Sequence, residues 1–256
     1  MKSSNPALAM GFNQYAAQGS WGESYAAPRS TTMTVQGTVS KTFLLLAILT
    51  ATALWAWTEA GSGNMTGGLL GGAAIGGFIV AMITVFKPTL APWTAPVYAA
   101  LEGVFLGALS KLVESRMPAY QGIAIQAVGL TCGTLFVMLT LYLTRTIRVT
   151  DRLAAGIMGA TGALCLMYLV TFVLHMFGVN VPFIHAGGKI GILFSLFVVG
   201  LAAFNLLLDF DMIEKGVAYG APKSMEWYGA FGLMVTLVWL YLEVLRLLQK
   251  VYSERR

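Results

Sequence analysis

Charged residues are few in this sequence. Its 16 Lys and Arg and 11 Asp and Glu amount to 11% of 256 residues, against about 25% in an ordinary soluble domain. That excludes a soluble globular protein, because there are too few charged groups to cover a water-facing surface. Cysteine is nearly missing as well: Cys132 and Cys165 are the only two, and both lie inside apolar runs. A disulfide framework of the secreted kind is therefore excluded, and both read as small core residues. Histidine is equally scarce, and His175 and His185 cannot supply a multi-histidine metal centre. Sparse charge also removes nucleic acid as a partner, since no basic surface interleaved with aromatics can be assembled.

Catalytic signatures are lacking too. No Gly-rich phosphate loop follows a strand pattern, and no His-Glu-x-x-His occurs. Ser195 sits in Leu-Phe-Ser-Leu-Phe without the glycine frame of a serine nucleophile, and the last apolar run has no buried Lys of the retinal-binding kind. The expectation is a protein that is not an enzyme, with no cofactor and no resident metal.

What is abundant is apolar sequence, 57% of the chain, with a mean hydropathy of +0.73. It falls into runs of about 20 residues, the length of helix that crosses a hydrocarbon core about 30 Å thick. The reading is an all-α polytopic membrane protein whose seven transmembrane helices lie near 42–58, 66–86, 93–113, 122–144, 154–177, 189–210 and 227–248. Residues 1–40 are mixed in Ser, Gly, Ala, Asn and Thr, with no apolar stretch behind Lys2. They read as a flexible tail rather than a cleavable signal, leaving 41–256 as the transmembrane domain.

Basic residues report orientation. Lys2, Arg29, Lys41, Lys87, Arg145, Arg148, Arg152, Lys215 and Lys223 fall in the tail and in the links after spans two, four and six, whereas the opposite links hold Lys111, Arg116 and Lys189. The excess favours a cytoplasmic N-terminus in the inner membrane. Arg246, Lys250, Arg255 and Arg256 would then lie outside. Either the last span runs against the rule or one segment is re-entrant. Glycines at small-xxx-small spacing (Gly68, Gly72 and Gly76; Gly103 and Gly107; Gly129 and Gly133) suit close helix packing within one bundle, with a dimer face as the alternative.

An acid inside a span costs about 2.5–3.5 kcal/mol at its centre, so such acids are candidates for function. Glu102 lies near the middle of span three with no Lys or Arg one turn away. Asp209 closes the apolar run of span six in Asn205-Leu-Leu-Leu-Asp209-Phe-Asp211. Asn205 is one turn earlier on the same face, which favours an inward polar site, although an interfacial Asp209 stays open. Asp211, with Glu214 and Lys215, reads as the watery end of that helix. Glu243 has Arg246 three residues on, which reads first as a local ion pair near the membrane edge.

The last third of the chain carries a resemblance. Asn205-Leu-Leu-Leu-Asp209-Phe-Asp211-Met-Ile213, Met225-Glu-Trp-Tyr-Gly-Ala230-Phe-Gly-Leu233 and Leu242-Glu-Val-Leu-Arg246-Leu-Leu resemble the Bax inhibitor-1 family, the transmembrane Bax inhibitor motif group that includes bacterial YccA, in its branch with a long N-terminal tail. The resemblance implies six helices around a central seventh, and a pH-sensitive leak for calcium or other cations. In that family an Asp on helix six shares a proton with an Asp on helix seven. Asp209 matches the first; the second position falls on Thr236, so the second acid is missing.

Two carboxyls in one low-dielectric site cannot both ionise, which is what makes such a pair sense protons. A hydroxyl at Thr236 can donate to Asp209 but cannot titrate in its place. The expectation is that Glu102 stands in for the missing acid, with Glu243 as rival, Asn205 and Thr236 as hydrogen-bonding members, and Asp211 on the cation path. No tightly held calcium is expected, because a leak needs passing contacts. The alternative is a non-conducting regulator whose partner is a membrane-anchored ATP-dependent protease, as bacterial members of the family resemble. A secondary transporter is third, since no inverted repeat is evident.

Overall fold

The computed structural model describes residues 31–62, 67–118, 120–177 and 188–254. Most of the expected tail, residues 1–30, therefore lies outside the described residues. Seven helices follow one another: α1 Val35–Gly61, α2 Gly67–Phe86, α3 Ala91–Arg116, α4 Ile123–Leu143, α5 Asp151–Met176, α6 Lys189–Ala218 and α7 Met225–Glu254. A short 3-10 turn, Pro88–Leu90, leads into α3. All seven are long and apolar enough to cross a membrane, and the only extended pairing among the described residues is a single bridge between Thr32 and Pro222. The chain is an all-α, multi-pass membrane protein.

The helices agree with the apolar runs in number and order and overshoot them at the ends. α1 starts at Val35 rather than near 42, α6 runs to Ala218 rather than 210, and α7 to Glu254 rather than 248. Hydropathy marks only the lipid-immersed middle, whereas a nucleated helix continues as long as each added residue gains a backbone hydrogen bond. The reading of Asp211 as the end of its helix is corrected accordingly: Asp211 is half-buried, and the helix runs on beyond Lys215.

Local chemistry sets the termini. Thr34 caps α1 by accepting from the Gly37 N–H at 3.0 Å, and Thr150 caps α5 by accepting from Leu153 at 3.3 Å. The turn after α6 closes at Gly220 with φ +66, where the Ala221 N–H reaches back to the Gly216 carbonyl at 3.0 Å and Pro222 follows. This closure needs the left-handed conformation that glycine adopts without strain.

The chain divides into two compact units. The first comprises Met1–Ala119 and Asp209–Val235, hence α1 to α3, the end of α6 and the start of α7. In it α1 and α3 run parallel and nearly touch. A methyl group on Gly103 would overlap the Leu49 carbonyl and the Thr52 hydroxyl, and one on Gly107 would overlap the Ala53 carbonyl. These two glycines thus serve packing inside the chain, whereas Gly72, Gly129 and Gly133 have no neighbour within 4 Å of a built methyl. A buried cluster of Met33, Ala91, Ile213, Ala221, Met225 and Tyr228 joins the start of α1 to the link between α6 and α7.

The second unit comprises Tyr120–Leu208 and Thr236–Arg256. Ile157 and Leu164 of α5 pack on Val198 and Leu201 of α6, with Tyr168 and Trp239 at the margin. Large apolar side chains such as Phe136, Phe172 and Phe197 stay exposed, as a lipid-facing surface requires.

Within the first unit α1 and α7 begin side by side, because Thr34 touches Glu226.

Candidate functional site

Glu102 and Asp209 fall in the same compact unit. Glu102 is half-buried on α3, with its carboxylate turned to α2: a methyl on Gly77 would stand 3.2 Å from Oε1. Glycine at that position gives the acid its room. One turn earlier on α3, Tyr98 shares a hydrogen bond with Glu102. The Tyr98 ring is fixed in turn by an edge-on contact with Phe231 of α7, centroids 5.1 Å apart. No ion pair reaches Glu102 among the described residues. Asp209 is half-buried on α6, between buried Phe210 and half-buried Leu208. Asp211, two residues on, is bridged to Lys215 at 2.5 Å.

The remaining expected residues belong to the other unit. Asn205 donates through Nδ2 to the Thr161 hydroxyl of α5 and to the Leu201 carbonyl, both at 2.9 Å, so its donors are spent on helix packing. Thr236 is buried on α7. Glu243 is 2% exposed and is held by three contacts. Arg246 Nη1 lies 2.8 and 3.0 Å from its two oxygens, and the Tyr168 hydroxyl donates at 3.2 Å. The ion pair read from spacing is present, but its acid is buried and the pair is clamped to α5 through Tyr168, which also accepts from Arg246 at 2.9 Å. One turn further on, Lys250 donates to the Ser195 hydroxyl at 2.9 Å and to the Gly191 carbonyl at 3.2 Å, tying the end of α7 to the start of α6.

One acid escaped the sequence reading altogether. Glu226, in the first turn of α7, has a fully buried side chain in the first unit. Its Oε1 accepts from the Thr34 N–H and the Thr34 hydroxyl, each at 2.9 Å, and Lys223 lies 3.3 Å away. Its Oε2 is paired with Lys41 of α1, whose ammonium also stands 5.5 Å over the Trp227 ring. A methyl group on Gly37 would overlap the carboxylate. The one available signal was Lys41 at the head of an apolar run, a cation that needs an anion.

The family model described as Bax inhibitor 1 like matches residues 5–253 of the chain. No curated protein and no solved structure matches it.

Proposed function

The chain belongs to the Bax inhibitor 1 like family, and from that premise we propose that it is a pH-sensitive leak for calcium or other cations, with Asp209 as principal gate and Glu102 as its acid partner. One contrast among the acids carries the reading. Glu226, Asp211 and Glu243 each have a Lys or Arg in ion-pair range, whereas Glu102 is met by a tyrosine hydroxyl. A carboxylate pinned by a cation keeps its charge over a wide pH range, and one without a counter-ion follows the proton supply. Glu102 also shares its compact unit with Asp209, while Glu243 belongs to the other and is already neutralised by Arg246. Both facts favour Glu102 over Glu243 as the stand-in for the missing helix-seven acid. Asp211, bridged to Lys215, takes the supporting place on the cation path, and Asn205 ties α6 to α5 through Thr161.

The excess of Lys and Arg on one set of links supports a cytoplasmic N-terminus and an inner-membrane site. On the other side Arg246 and Lys250 are engaged by Glu243, Ser195 and Gly191, which lessens their weight as orientation signals.

The test is cation flux in liposomes for Glu102→Gln and Glu243→Gln, from about pH 5 to 8. Loss of pH dependence in Glu102→Gln with its retention in Glu243→Gln is the expected result; the reverse overturns the assignment.

A further inference from the structure

We infer that Glu226 is a latch which holds the chain before α1 onto the α6–α7 link and thereby restrains the gate; the inference rests on the leak reading above. The segment Thr31–Thr34 does not simply lead into α1. It lies antiparallel to residues 221–223, with the Met33 N–H donating to the Ala221 carbonyl at 2.7 Å and the Lys223 N–H to the Thr31 carbonyl at 3.0 Å. Two backbone hydrogen bonds and one bridge hold weakly on their own, because a short two-stranded pairing is marginal in water. What adds strength is Glu226, which takes the Thr34 N–H, the Thr34 hydroxyl and Lys41 at once.

The Thr34 hydroxyl therefore has two jobs. It accepts from Gly37 as the cap of α1 and donates to Glu226 of α7. Loosening Glu226 frays α1 and frees the strap together. Gly37 completes the device, since any larger residue there would displace the carboxylate.

The connection to the gate runs through packed side chains. Met33, the buried residue of the strap, belongs to the same cluster as Ile213 and Met225. A methyl on Gly229 would meet Ile213 at 3.2 Å, Thr38 at 3.3 Å and Met33 at 3.4 Å, so α1, α6 and α7 close on one point. Ile213 is one helical turn beyond Asp209 and on its face. Withdrawing Met33 removes the support of Ile213, and a densely packed interior transmits such a loss rather than absorbing it. The latched strap holds the Asp209 turn in place, and release raises the leak.

The experiment uses the full chain with Cys132→Ser and Cys165→Ser, reconstituted in liposomes. Thr32→Cys reports strap docking through its rate of modification by a water-soluble maleimide, and calcium flux is read on the same samples. Glu226→Gln is expected to speed labelling about tenfold and to raise flux roughly five- to tenfold, within the usual span of coupling between sites. Lys41→Met gives the same pair of readings from the α1 side, should Glu226→Gln fail to assemble. A disulfide across the bridge, from Thr32→Cys with Pro222→Cys, restores wild-type flux in the Glu226→Gln background when oxidised and loses the effect on reduction. Unchanged labelling in both variants overturns the latch. Faster labelling with unchanged flux overturns its regulatory role. Absence of flux in the wild type at every pH removes the leak reading, and the labelling rates still decide whether Glu226 holds the strap.

Discussion

Lys41 and Glu226 stand 185 residues apart in the chain and form an ion pair at the shared starting end of α1 and α7, with the Glu226 side chain fully excluded from solvent. Burying a carboxylate is costly unless its partners satisfy it, and removing one member leaves the other uncompensated. Glu226→Ala is expected to lower stability by about 3–5 kcal/mol, and the double variant Lys41→Met with Glu226→Leu to lose much less. Denaturant unfolding in detergent, followed by tryptophan fluorescence, reads both. Equal losses in the single and double variants would show that packing, not charge, holds the two helices there.

Glycines with and without neighbours should respond in opposite directions. Gly37→Ala and Gly107→Ala place a methyl on the Glu226 carboxylate and on the Ala53 carbonyl, and each is expected to cost about 1–3 kcal/mol as overpacking. Gly129→Ala meets nothing within 4 Å and is expected to be neutral or to gain up to about 1 kcal/mol of helix propensity. Melting temperatures of the purified variants check the order.

The Glu243 clamp gives a graded series. Tyr168→Phe removes one hydroxyl between Glu243 and Arg246 and is expected to cost about 1 kcal/mol. Arg246→Ala leaves a carboxylate that is 2% exposed without its cation, and is expected to cost about 3 kcal/mol or more. Glu243→Gln with Arg246→Met should recover most of that loss. Thermal unfolding of the set reads the series.

Seven spans were legible because apolar composition over a helix length is enough to mark a crossing. The polar turns at Val35–Lys41, Asp211–Ala218 and Lys250–Glu254 were not, since backbone hydrogen bonding extends them without any apolar signature. The Glu243–Arg246 pair was visible in its spacing, but its bond to Tyr168 depends on α5, 75 residues away from Glu243 in sequence. Asn205 read as a companion of Asp209 by periodicity; spacing gives the face of a helix but not that its amide is taken by Thr161. Glu226 was illegible for the same reason: a lone Glu in a first turn reads as a favourable charge at the positive end of a helix dipole, and its true partners, Thr34 and Lys41, lie 192 and 185 residues before it.

Calcium entry into liposomes holding the purified chain, compared between wild type and Asp209→Asn from about pH 5 to 8, tests the central claim most directly. The account predicts a wild-type flux that changes with pH and a flux in Asp209→Asn that no longer does. No flux in the wild type at any pH would contradict it, and would turn attention to the non-conducting regulator of a membrane-anchored protease.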